Sequence, residues 1–353
     1  MTFIDFFAGI GGFRRGLELA GHKCVGFCEY DKFAVQAYRA MHDTESEWYA
    51  KDIREVRAAD LPRADIWCAG FPCQDISIAG QRQGFRGKRS SLFFAITRLV
   101  DDLEKESRPS YLLFENVKNL LSVNGGFDFA RLLIELDKIG YDAEWAVVNS
   151  ADVVPQNRER VYIVGHLRGR SGQQVFPIRK GLKICDKPEK AGEIHRNSIV
   201  TLTAKGQSNW TGTFIKQAIG NVRKSYGTYT SQSKDYRRSP LFEKSRSLKA
   251  NKADAGVLIL NGEEYNVRKL TPLECFRFQG WEDEYFFRAF FLNKDLARKF
   301  NQAYQRRRNN PLRLMKWAFK HQRLSDTQLY KQAGNGVTVP VVRAIGERME
   351  DEI

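Results

Sequence analysis

The chain has 353 residues, of which 42% are hydrophobic and 12% aromatic, and a formal net charge of +15. That composition excludes a disordered chain, and the length suits one large domain with a smaller one beside it. No apolar run approaches the roughly 20 residues that span a bilayer, and six cysteines without a Cys-x-x-Cys pair read as reduced thiols in a cytoplasm, not staples or a zinc site.

Phe3–Phe7 reads as a short strand running into Gly9, Ile10, Gly11 and Gly12. Phe13, Leu17 and Ala20 then recur at helical spacing, with Gly21 as the stop. A strand over Cys24–Cys28, a helix over Lys32–Met41 and a strand over Asp65–Ala69 follow. Next come an amphipathic helix over Leu92–Leu103, a strand over Tyr111–Phe114 and a helix over Phe129–Ile139. Strands over Glu144–Val148 and Val161–Val164 close this half. Strands separated by helices of about ten residues predict an α/β fold, a doubly wound sheet with helices on both faces. Ligands of such sheets sit at the carboxyl ends of the strands, where Gly9–Gly12, Glu29, Gly70–Cys73 and Glu115 all fall.

Beyond Leu167 the pattern changes to short β-like pieces and turn residues. From His166 to Arg268 there are twenty Lys and Arg against eight Asp and Glu, a net +12, interleaved with Trp210, Tyr226, Tyr229 and Tyr236. This pattern suits a phosphate backbone, with a merely solvated basic surface as the alternative. Arg268–Trp281 is expected to be a helix, because Thr271 supplies an N-cap, Pro272 a first position and Glu274 a capping box. Residues 282–330 are aromatic and then strongly basic (Arg306-Arg-Arg308, Arg313, Lys316, Lys320, Arg323) and read as largely helical. Gln332–Pro340 reads as a tight loop bringing Asn335 close to a ligand, and Val339–Met349 as a final helix packing back on the first domain.

The sharpest chemical candidate is Cys73, beside the rigid Pro72 in a loop rich in Gly, Ser and charge that runs to about Ser90. A few per cent of an ordinary thiol is thiolate at neutral pH, enough to attack a weak electrophile, although a buried structural cysteine is the commoner case. The glycine loop lets a ligand approach the backbone, and Arg14 stands where a dinucleotide fingerprint needs its third glycine. Glu29, roughly 20 residues on, suits both hydroxyls of a ribose. Asp52 suits an adenine amino group, with Ile53 against the ring. Taken together these describe an adenosine site without phosphates. Glu115, between Phe114 and Val117, is suited by apolar burial to donate a proton to a ring nitrogen. Arg158 and Arg160, two apart in an extended chain, point the same way and suit a carbonyl oxygen and a carboxylate.

In this order the pieces resemble the DNA cytosine-5 methyltransferases. The motifs are Phe7-Ala-Gly-Ile-Gly-Gly12, Glu29, Asp52, Gly70-Phe-Pro-Cys-Gln74, Glu115-Asn-Val117, Gln156-Asn-Arg-Glu-Arg160, Arg268-Lys-Leu-Thr-Pro-Leu-Glu-Cys275 and Gly334-Asn-Gly-Val337, spread over nearly the whole chain. The resemblance implies a Rossmann-like S-adenosylmethionine-dependent methyltransferase sheet plus a smaller, irregular, β-rich target-recognition domain. It implies a catalytic and cofactor-binding domain over 1–167, completed by 325–353, and a target-recognition domain over 168–267. A linking helix would occupy 268–281, and 282–324 would be a basic helical insertion, longer than this segment usually is.

By the same resemblance, Cys73 would add to C6 of a flipped-out cytosine, Glu115 would hold or protonate N3, Arg160 would bind O2 and Arg158 would orient the site. S-adenosyl-L-methionine, leaving as S-adenosyl-L-homocysteine, would lie on Phe7, Gly9, Ile10, Gly11, Gly12, Glu29, Tyr30, Asp52, Ile53, Pro72 and Asn335, with no metal. Gln74, Ser77 and Arg89 would face DNA, though Ala79 stands where some members have a second serine. The loop of about Gln74–Arg89, with glycines at 80, 84 and 87, would close over the base. The expected partner is double-stranded DNA, methylated by a monomer with no membrane contact. A cognate restriction endonuclease would share the site without direct contact, and a solitary or phage enzyme is the other context. A tRNA cytosine-5 methyltransferase, disfavoured by the long basic segment, and a DNA-binding module without catalysis are the competing readings.

Overall fold

A computed structural model describes residues 1–71, 92–170, 174–178, 270–306 and 317–349, together with the backbone of short strands between 199 and 269. Five strands, β1 (Thr2–Phe6), β2 (Lys23–Cys28), β3 (Trp48–Ala50), β4 (Ile66–Gly70) and β5 (Tyr111–Val117), pair in parallel. After β6 (Tyr141–Asn149) and the two-residue β7 (Gln156–Asn157), β8 (Glu159–Leu167) inserts antiparallel between β5 and β6. The seven-stranded sheet is ordered β3-β2-β1-β4-β5-β8-β6.

The helices are α1 (Gly12–Leu19), α2 (Lys32–Met41), α3 (Leu92–Asp101), α4 (Phe127–Lys138), α5 (Pro272–Phe278), α6 (Asp283–Phe291), α7 (Lys294–Arg306), α8 (Asp326–Asn335) and α9 (Val339–Gly346). Period-two alternation along the strands sorts their side chains onto two faces. Ile4, Phe6, Trp67, Ala69, Leu112, Phe114 and Ile163 join Phe93 and Ile96 of α3 and Leu132 and Leu136 of α4. Phe3, Ile66, Cys68, Tyr111, Leu113, Tyr162 and Val164 join Phe13 and Leu17 of α1 and Val342 and Ile345 of α9. Helices therefore cover both faces, as the alternation predicts. Each large side chain taken from water here contributes roughly 1.5–3 kcal/mol. Gly16 permits the second face to close, since a Cβ there would stand 2.5 Å from Cβ of Val342.

A third core is built from the segment after 270. Phe276, Phe286, Phe287, Phe290 and Phe300 gather with Ile10, Ala37 and Met41, laying α5–α7 against α2 and the glycine loop. Local signals start these helices: the Asp31 carboxylate accepts from the N–H groups of Phe33 and Ala34, and Thr271 and Glu274 form the expected capping box. Between 199 and 269, β9 (Thr211–Ala218), β10 (Ser225–Thr230), β11 (Gly256–Leu260) and β12 (Glu263–Lys269) form an antiparallel four-stranded sheet. Among the described residues no helix is long and apolar enough to cross a membrane.

Two expectations change. The helix expected over Arg268–Trp281 occupies Pro272–Phe278, because Arg268 and Lys269 still belong to β12. The loop expected from Gln332 is instead the last turn of α8, and the chain leaves the helix only after Asn335. Long-range contacts override the glycines there. Gln332 donates to the carbonyl of Phe33 (3.1 Å), and Gln279 donates to that of Ala333 (2.9 Å).

Candidate active site

Register brings the predicted site residues to one rim. Phe6 lies opposite Cys28 and Ala69, Cys28 opposite Ala50, and Gly70 opposite Glu115. Parallel strands share one polarity, so the residues that follow them leave along the same edge. β8 runs the other way and therefore begins at that edge, with Arg160 opposite Val117.

On the β1–β3 side the rim is mostly backbone. Phe7, Gly9 and Gly11 hold left-handed conformations, with φ of 53°, 57° and 85°. A Cβ on Gly9 would meet no atom within 4 Å, so open space lies in front of it. Gly11 is the opposite case, since its Cβ would fall 2.4 Å from Nε2 of His42. His42 is buried at the end of α2, and its Nε2 donates to the carbonyl of Ile10 (3.1 Å). Burial, reinforced by Arg14, Arg15 and Arg288, pushes its pKa well below 6.5, which keeps the ring neutral. Trp281 and Tyr285 pack near that ring, and Arg288 donates to the carbonyl of Met41 (2.8 Å). Arg14 faces inward: it is buried and bonded to both oxygens of Glu47 (2.6 and 2.8 Å).

Glu29 accepts from the N–H of Gly9 at Oε2 (2.8 Å) and from that of Asp31 at Oε1 (2.7 Å). Burial raises its pKa while those two N–H groups resist the shift. Tyr30 is exposed, with Nζ of Lys51 5.2 Å from its ring centre. Asp52 caps the turn Ile53–Glu55, and its carboxylate is held by Arg54. Ile53 is 1% exposed and packs in the core. Asn335 is exposed on the last turn of α8.

On the β4–β8 side the rim is built from charged side chains. Glu115 is 8% exposed, and its Oε1 stands 3.0 Å from Nε of Arg160 and 4.0 Å from Nη2 of Arg158. That oxygen has no partner in hydrogen-bond geometry among the described residues. A Cβ on Gly70 would lie 3.5 Å from the other carboxylate oxygen, Oε2. The apolar pocket expected for Glu115 is thus corrected: two guanidiniums reach it from β8 and the residue before it. Arg158 is anchored elsewhere, its Nη1 donating to the carbonyl of Gly334 (3.3 Å) and its Nη2 to that of Gly336 (3.0 Å). Burial, with Arg160 alongside, lowers its pKa to about 10.

Two further groups, one of them inside the Glu115-Asn-Val117 motif, have no role assigned by the sequence. Asn116 is buried and donates from Nδ2 to the carbonyl of Phe71 (2.9 Å), fixing the end of β4. Gln279, buried in α5's exit, also accepts from Thr338 (3.0 Å), which lies 2.7 Å from Ser150. A glutamine and a threonine amid apolar neighbours are the only trace such a knot leaves in sequence. Pro72, Cys73, Gln74, Ser77 and Arg89 lie outside the described residues. The chain is described up to Phe71 and again from Leu92, and the rings of Phe71 and Phe93 are 5.3 Å apart. No cluster of three His, Cys, Asp or Glu poised for a metal occurs among the described residues.

The family profile of C-5 cytosine-specific DNA methylases matches residues 1–303. The chain belongs to that family. It is a DNA cytosine-5 methyltransferase, and its relatives are Type II methyltransferases. M.NlaX of Neisseria lactamica is 32% identical over 351 residues, covering 98% of this chain and 95% of that protein. M.HhaI of Haemophilus parahaemolyticus is 32% identical over 294 residues, covering 81% and 85%. Among solved structures, the Dnmt2 methyltransferase of S. pombe gives a TM-score of 0.59 at 15% identity, covering 98% of this chain and 96% of that one. A putative DNA modification methyltransferase from an E. coli prophage gives 0.55 at 16%, covering 98% and 97%. These structural likenesses concern the fold, and the methyltransferase sheet expected from the sequence is borne out.

Proposed function

We propose that this methyltransferase moves the methyl group of S-adenosylmethionine to C5 of a cytosine flipped out of a specific duplex DNA sequence. The observation that carries this reading is the Glu115–Arg160 contact beside Gly70 and Phe71, on the rim that also bears the glycine loop. The residues fit the donor. Gly9 faces open space, Glu29 is held at the end of β2 by two N–H groups, and the third glycine of a pyrophosphate site is absent. When bound there, the donor supplies an electrophilic methyl group and departs as S-adenosylhomocysteine.

Cytosine C5 is too weak a nucleophile to accept that methyl unaided. The thiolate of Cys73 adds to C6, forming an Sγ–C6 bond and placing electron density on C5, N3 and O2. Glu115 serves N3, and Arg160 is near enough to Glu115 to reach O2 of the same base. C5, once methylated, gives its proton to solvent water, the electron pair of that C–H bond re-forms the C5–C6 double bond, and the Sγ–C6 bond breaks to restore the thiolate. Flipping costs a few kcal/mol, which contacts from residues 168–267, as the target-recognition domain, offset. In this reading 1–167 and 325–353 form the catalytic domain, 268–281 the link and 282–324 an insertion.

The Type II names of the relatives favour a place in a restriction-modification system, with a cognate endonuclease acting on the same sequence without touching this protein. The enzyme then works as a cytoplasmic monomer. Expressing the chain in cells without cytosine-5 methylation and mapping 5-methylcytosine tests the reading. One short methylated motif is expected in DNA and none in tRNA. Cys73→Ala should abolish methylation and keep duplex binding; methyl transfer by that variant would sink the mechanism.

A further inference from the structure

The segment after α6 is unlike its surroundings in combining exposed rings with exposed cations that are unpaired among the described residues. Phe300 of α7 stacks on Trp317 of a helical turn at 317–320 (6.0 Å, 12° between planes), and Trp317 stacks on His321 (4.1 Å). Phe319 packs edge-on to Phe290 (6.0 Å). Yet Trp317 and Phe319 remain 40% and 54% exposed. Lys299, Arg306, Lys320 and Arg323, from the same two pieces, are all exposed. None of the four has a carboxylate within ion-pair distance among the described residues, whereas nearby Lys294 and Arg298 pair with Asp43 and Asp295. Asp295 is the only acidic residue in 294–323.

Unpaired like charges repel, so a cation field without acids costs free energy unless something polyanionic shares it. Ordinary solvated faces intersperse both signs. Half-exposed rings among such cations favour a partner that presents a regular line of anions together with flat, weakly polar groups. Duplex DNA does so, with one phosphate charge per roughly 1.7 Å of axis and sugars between them.

We propose that this aromatic and basic face is a second DNA contact, engaging backbone phosphates outside the sequence that is methylated. It rests on the reading of the chain as a DNA-acting enzyme, and it assigns the face a sequence-independent role. An acidic protein as its partner is the outcome that would replace the idea.

The test measures binding of the full chain to a 40-base-pair duplex of mixed sequence (about 40, chosen to exceed any one recognition site) across a salt series. The variant Lys299→Gln/Lys320→Gln/Arg323→Gln should lower the slope of log K against log salt by about 2 to 3, since each phosphate contact contributes about 0.9. Trp317→Ala should weaken binding with little change of slope. Both should keep the wild-type melting temperature and methylate plasmid DNA when enzyme is in excess. An unchanged slope in the folded triple variant overturns the proposal. A wild-type chain that methylates no DNA overturns the functional reading instead, and the slope still decides this face.

Discussion

The two halves of the rim solve the same positioning problem with different materials. From β1 to β3 the rim is main chain, bent by left-handed residues and propped from behind by His42 and Glu29. From β4 to β8 it is a carboxylate between two guanidiniums, one of them anchored to the distant carbonyls of Gly334 and Gly336. A backbone surface can be reshaped only through its props, so damage there should act on donor binding. A charge cluster can be altered one atom at a time, so damage there should act on the chemical step.

The strongest way to break that division is Glu115→Gln. We expect kcat to fall by about 10²–10⁴ while calorimetry shows unchanged affinity for S-adenosylmethionine; a parallel loss of affinity would mean the halves are not separable. Arg158→Met should cost about 3 kcal/mol in urea unfolding, because the Gly334 and Gly336 carbonyls lose charged donors. Arg160→Met should lower kcat and also cost about 3 kcal/mol of stability, because buried Glu115 loses its nearest cation, 3.0 Å away.

On the other half, Gly11→Ala combines a φ of 85° with a Cβ 2.4 Å from His42. The expected result is a rise of about tenfold or more in KM for the donor, equivalent to about 1.4 kcal/mol, with kcat changed less. The smallest effect concerns pH. His42 is neutral when folded, with its pKa held well below 6.5. The unfolded chain therefore binds the extra proton, and stability is lost as pH falls below 6.5, by at most about 1.4 kcal/mol per unit. The difference in melting temperature between wild type and His42→Gln should shrink steadily from pH 7.5 to pH 5.5 (about one unit either side of the ordinary value). A constant difference would show that the ring protonates in place.

What sequence could show divides along similar lines. Helix α2 matches its expected span because Asp31 caps it and Ala34, Ala37, Tyr38 and Met41 recur on one buried face. Strand β3 has three residues and no period to read, so only Asp52 marked its end. The order Gly9, Glu29, Asp52, Glu115, Arg160 was legible, since the first three follow their strands and the last two lie at the rim ends of β5 and β8. Their partners were not. Nothing near Glu115 announces that Arg158 and Arg160 crowd it, and nothing near Gly334 announces that its carbonyl is taken by Arg158, so a pair of glycines suggested a turn where a helix continues. Those facts depend on strand order and on contacts between distant segments, which local pattern does not contain.

The anchoring of Arg158 has a consequence for the newly made chain. Its two acceptors lie 176 and 178 residues downstream. At roughly 5–20 residues per second, they leave the ribosome about 10–35 s after it does. Until then the guanidinium lacks the Gly334 and Gly336 carbonyls. A nascent chain would thus carry its sheet before Arg158 is anchored, and a segment made much later is the one that holds it.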